Sequence, residues 1–209
     1  MLRSAIHVTA FWLAVAAAVG AQEVPVDAHL QGFEPLGEYR LVVAGKADPA
    51  AAMYRSQRGG SAMLVEAPSL PGPVLLSPRA RSVERVPAEK IVRNQDGSLD
   101  LLADAELAAA GSFEIDDGTV SFALDGREVR LEEEPYLLGL HGTEAMLERD
   151  PGYAFHAAKY SASPPILRGL KSVAEPVRVR VFFGSWCPSC KQMLPRILRV
   201  AEELAGTPI

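Results

Sequence analysis

Apolar and polar residues alternate most cleanly in "TVSFALDGREVRL", residues 119–131. A period of two puts every second side chain on one face of a strand. With Asp125-Gly126 as a two-residue turn, Phe122 falls opposite Val129 and Val120 opposite Leu131, so one face of the hairpin is apolar and the other polar. Residues 39–43 and 62–65 are further β-favouring runs, and Pro71-Gly72-Pro73 breaks the chain before the apolar residues 74–76. Asp96-Gly97 and Asp117-Gly118 mark two more turns. This pattern predicts a small antiparallel β domain over residues 22–140. Glu132-Glu133-Glu134 reads as a solvated strand end, and no nucleophile, base and orienting group collect in this region.

The pattern then becomes helical. From Gly142 to Tyr160, Ala145, Met146, Phe155, Ala157 and Ala158 stand among charged residues, with a break at Asp150-Pro151-Gly152. Residues 161–165 read as a linker, so 141–165 form a helical connector. Residues 177–183 are β-branched and aromatic and predict a strand, and Gly184-Ser185 ends it. Over residues 191–204, Met193, Leu194, Ile197, Leu198, Ala201 and Leu204 recur at helical spacing.

The N-terminus changes the setting in which this pattern is read. After Met-Leu-Arg, residues 5–20 carry no charge, and Val19-Gly20-Ala21 precedes Gln22-Glu23. A basic start, an apolar core and small residues at a cleavage point describe a signal peptide over residues 1–21. The protein is therefore expected to be exported, and periplasmic if its source is a Gram-negative bacterium. An uncleaved leader would act as a membrane anchor instead.

Cleavage would remove a single charge, Arg3, from a chain with 26 Asp+Glu against 21 Lys+Arg. An acidic chain without a basic tract carries no electrostatic footprint for nucleic acid. His29, His141 and His156 show no metal-ligand spacing, and neither a metal nor another cofactor is expected.

The chain has two cysteines, Cys187 and Cys190, within "WCPSCK". A bridge across two intervening residues closes almost no loop, so it would restrain the unfolded chain very little. The spacing suits reversible chemistry better than stability. The pair lies between the predicted strand and helix, where helix amides and the macrodipole favour a thiolate on Cys187. Cys190, about one helical turn on, is placed to reach back toward it. Pro188 suits the first helical turn, where a missing N–H costs no intrahelical bond.

On these residues the stretch resembles the thioredoxin family. The family's motif runs from a hydrophobic strand through Trp before Cys-x-x-Cys and a basic residue after it to a helix-kinking proline. Trp186, Cys187, Cys190, Lys191 and Pro195 match it in register. The helix-like "ILRGLKSVAEPV" also fits the family's preceding helix. The resemblance covers residues 166–209 and implies an incomplete thioredoxin-like α/β segment there; with the small antiparallel β domain read before it, the chain is expected to be α+β. Where the family often has a buried acid, six positions before the first cysteine, this chain has Val181.

The resemblance implies an exported thiol-disulfide oxidoreductase. Cys187 would attack or be attacked, Cys190 would resolve the mixed disulfide, and Trp186, Pro188, Lys191 and Pro195 would support them. Protein thiols or disulfides and a redox partner would be its substrates. Two readings compete with it: an exported, non-enzymatic binding module with a vestigial redox tail, and metal handling by the two thiols.

Overall fold

The computed structural model describes residues 30–58 and 61–208. The leader read at residues 1–21 lies outside them, as does His29. Twelve strands are β1 (Phe33–Pro35), β2 (Tyr39–Val43), β3 (Lys46–Asp48), β4 (Ala52–Ser56), β5 (Met63–Glu66), β6 (Val74–Ser77), β7 (Ser82–Arg85), β8 (Ile91–Arg93), β9 (Leu99–Leu101), β10 (Ala108–Asp116), β11 (Thr119–Leu124) and β12 (Arg127–Glu133). They form one sheet in the order β3-β2-β12-β11-β10-β7-β6-β5-β4-β1-β9-β8. Four helices follow: α1 (Thr143–Arg149), α2 (Pro151–Lys159), α3 (Pro164–Lys171) and α4 (Pro188–Glu203).

The hairpin of β11 and β12 has the register that its alternation dictates, Phe122 opposite Val129 and Val120 opposite Leu131. Asp125 and Gly126 both take positive φ, 51° and 72°, which matches a two-residue turn to the strands' right-handed twist. The sheet curls into a half-barrel. Part of the bend arises where β10 pairs with β7, since the register shifts between Ala109 and Gly111, and Gly111 has φ 140°.

Two cores share the central strands. Met63, Val65, Val74 and Leu76 face one of them, with Leu41, Phe122, Val129 and Leu131. The intervening Leu64 and Leu75 face the other, with Phe33, Val86, Leu99 and Leu101. Strands buried on both faces lose the polar half of the alternation, so residues 62–65 and 74–76 read as unbroken apolar runs. Each such side chain contributes roughly 1.5–3 kcal/mol on burial.

A third, smaller cluster lies among the helices: Met146, Tyr153 and Ala157 pack against Leu194 and Leu198. The helical break falls where the sequence puts it, with Asp150 capping α2 by accepting from Gly152 N–H at 2.9 Å. Residues 164 and 165, read as linker, instead open α3, because proline fits a helix's first turn.

The fold corrects the expectation of a small β domain followed by an incomplete thioredoxin-like α/β segment. The sheet has 12 strands, is antiparallel throughout and dominates the described residues, and among them there is no small mixed sheet of thioredoxin type. Residues 177–183 join no strand of that sheet. Val177 N–H donates to the carbonyl of Pro208 at 3.0 Å, yet Val179 is 64% and Phe182 87% exposed. β-propensity measures fit to a half-buried pleated surface, and here no neighbouring strand supplies one.

Candidate functional site

Helix α4 begins as its sequence directs. Pro188 stands at its first position, Cys187 is its N-cap, and the Cys187 sulfur accepts from Cys190 N–H at 3.3 Å. The Cys187 thiol is held below its ordinary value, first by a side-chain hydrogen bond with Cys190, then by the Cys190 and Ser189 amides, against a smaller opposing effect of desolvation. Both cysteines are free thiols. Pro195 lies inside the helix and is buried beside Leu194 and Leu198.

Where the helices meet the sheet, the chain runs unusually close. A Cβ on Gly37 would fall 2.7 Å from Asp150 Cα, so only glycine allows the β1–β2 connection to pass the start of α2. Asp150 Oδ1 accepts from Gly37 N–H at 3.1 Å as well as from Gly152 N–H. Burial pushes the Asp150 carboxyl up, against the pull of these amides and of the Lys191 charge. Arg149 donates to the carbonyls of Gly37 at 2.9 Å and Pro135 at 2.8 Å, which ties α1 to the same rim.

Two contacts bring the start of α4 to this junction. The Lys191 ammonium pairs with Glu38, which also accepts from Arg55 at 2.8 Å. Burial alone would raise the Glu38 carboxyl, but the hydrogen bonds from Lys191 and Arg55 prevail and hold it below its ordinary value. Trp186 packs on Tyr136 with ring centroids 5.0 Å apart and the planes tilted by 57°. Gly184 permits this pose, since a Cβ there would lie 2.9 Å from the indole.

Together these elements enclose a cleft of about 880 Å³. Its sheet side carries Glu34, Glu38, Tyr39 and Arg55. Its helical side carries Arg149, Tyr153, His156, Tyr160, Trp186, Lys191 and Arg196. Desolvation, with a smaller push from the Asp150 charge, raises the Tyr153 phenol to about 12, so it stays a hydrogen-bond donor across the neutral range. Ser185 also borders the cleft, but its hydroxyl oxygen is turned away from solvent and has no hydrogen-bond partner among the described residues.

Of the residues singled out in the sequence, Trp186, Pro188, Lys191 and Pro195 line the cleft, while Cys187 and Cys190 do not. Lys191 directs its charge to Glu38, across the cleft. Glu38, Arg55 and Tyr136 carry no signal in the sequence, and Asp150 reads only as part of a helix break, because the four come from separate stretches joined only by folding. The close spacing of Gly37, Glu38 and Tyr39 before a strand was the nearest available signal.

The structure overturns the oxidoreductase reading. The 12-stranded antiparallel half-barrel is not a thioredoxin active-site scaffold. Among the described residues, no group of three or more His, Cys, Asp and Glu side chains is placed to hold a metal ion. Nor is the C-terminal segment a vestigial redox tail, because α4 and the turn before it form one wall of the cleft. No helix among the described residues is long and apolar enough to cross a membrane. Compared with protein-family models, curated proteins and solved structures, the chain matches none.

Proposed function

We propose that this chain is a non-catalytic binding module whose ligand sits in the cleft between the β1–β2 rim and helices α2 and α4. The observation that carries this reading is the cleft itself, in which the rings of Tyr136, Tyr160 and Trp186 stand beside the side chains of Gln57, Tyr153 and Gln192. A concave site lined by aromatic surface with a few polar groups is the usual form of a small-ligand site. The cavity volume, about 880 Å³, falls within the range of small-molecule sites. Many of its charges already neutralise one another, as in Glu38 with Lys191 and Arg55, and Glu34 with Lys159. Such a lining favours a ligand recognised through ring stacking and neutral hydrogen bonds rather than through net charge.

The test uses Trp186 as its reporter, with Trp12, the other tryptophan, replaced by Phe. Free amino acids, oligosaccharides and short peptides are titrated while indole emission is followed. Saturable binding that Tyr160→Ala and Tyr136→Ala both weaken supports the reading. A response from no class, or one that neither substitution alters, rejects it. Export by residues 1–21 belongs to the same proposal, and N-terminal sequencing of the protein from its own cells tests it.

A further inference from the structure

The segment before Trp186 offers a second surface, separate from the cleft. Residues 176–184 read Pro-Val-Arg-Val-Arg-Val-Phe-Phe-Gly and lie outside the sheet and the helices. Val177, Val179, Val181 and Phe182 are exposed. Arg178 and Arg180 are exposed too and, among the described residues, form no ion pair. The start of this segment is held, since Val177 N–H bonds to the Pro208 carbonyl, and its end is anchored where Trp186 packs on Tyr136. A β-favouring strip thus lies between two fixed points, with exposed valines and arginines at alternate positions.

We propose that this strip takes up an extended segment of a partner protein as an added β-strand, and that the partner's strand alternates β-branched with acidic residues. Main-chain hydrogen bonds would supply affinity, and alternate side chains would supply selectivity. The acidic preference follows from charge. Arg178 and Arg180 lie two apart and so share one face of an extended chain, where directly opposed unlike charges stabilise a strand pair and like charges oppose it.

The same rule disfavours a second copy of this chain. In an antiparallel pair that keeps both valine sets on one face, the central registers set Arg178 against Arg180, Arg178 against its own counterpart, or Arg180 against its own. A lipid surface is disfavoured for another reason: a bilayer interior leaves strand N–H and C=O groups without partners, and a protein strand satisfies them.

The test measures binding of two short capped peptides to the full chain, one alternating valine with glutamate and one alternating valine with lysine. The glutamate peptide should bind more tightly by on the order of tenfold, with the difference shrinking at high salt. The exposed double substitution R178E/R180E should reverse that order, and circular dichroism checks that the fold is kept. Val179→Pro, which removes one strand donor, should weaken both peptides. Equal binding of the two peptides, no binding of either, or a preference that survives R178E/R180E overturns the proposal. So does concentration-dependent dimerisation through the strip, or binding to anionic vesicles that Val179→Pro leaves intact. Because Tyr160 and Tyr136 are untouched, failure here leaves the cleft reading standing, and failure of the cleft titration leaves this one.

Discussion

Replacing Glu38 by Gln removes the negative charge on which Lys191 and Arg55 converge and keeps the side chain's size. Lys191 and Glu38 are 29% and 27% exposed, and Arg55 is 32% exposed, so the group is neither a surface pair nor a buried one. Exposed pairs contribute about 0.2–1 kcal/mol, and breaking a buried pair costs about 3–5 kcal/mol. An intermediate loss of about 1–2 kcal/mol at neutral pH follows, since the variant leaves two cations facing one neutral amide. The assay is urea unfolding followed both by far-ultraviolet circular dichroism and by Trp186 emission, because Trp186 lies beside the start of α4.

The pH dependence makes the test sharper. Folding lowers the Glu38 carboxyl from its ordinary value of 4.5. A group lowered in this way stabilises the fold fully above that ordinary value, and the contribution is lost as pH falls through the lower folded one. The gap between the natural protein and E38Q should therefore hold from neutral pH down to about 5 and close in stronger acid. A Lys191→Met background should shrink the effect of E38Q, since the two side chains act as a pair. Equal stability at neutral pH, or a gap undiminished in strong acid, would refute the assignment of α4's docking to this ion pair.

Three further outcomes follow from the same geometry. Gly37→Ala should destabilise the sheet–helix junction by about 1–3 kcal/mol in thermal melts, because its Cβ would meet the backbone of Asp150 at 2.7 Å; an unchanged melting temperature would mean the two segments do not pass so closely. Phe33→Ala should cost about 3–5 kcal/mol in denaturant titrations, as Phe33 is fully buried in the second core. Alkylation of Cys187 should rise with pH to a midpoint below the ordinary thiol value of 9.0, and Cys190→Ala should shift that midpoint back upward, since the Cys190 side chain is the first cause of the lowering.

Local patterns proved readable where a short stretch holds its own partners. Residues 119–131 contain both strands and the turn of one hairpin, so alternation and Asp125-Gly126 were enough to specify the register. Asp150-Pro151-Gly152 broke the helix because a cap and a proline act within one turn. Residues 177–183 show the opposite case. Their composition is that of a strand, yet the ladder bonds must come from another segment, and the fold places none beside them. The motif around Cys187 was misleading for the same reason, since a strand–turn–helix order in sequence does not establish the sheet that would make it a thioredoxin site.

The cleft lay wholly beyond such reading. Glu38, Asp150 and Lys191 are more than a hundred residues apart at their extremes, and no periodicity links them. The sequence alone decides turns, caps, strand faces and the start of α4, because these depend on dihedral preference and on neighbours a few residues away. The curl of the sheet, the pairing of β12 with β2 and the closure of the cleft depend on which distant surfaces bury one another. That choice is a balance of packing over the whole chain, and only the folded molecule displays it.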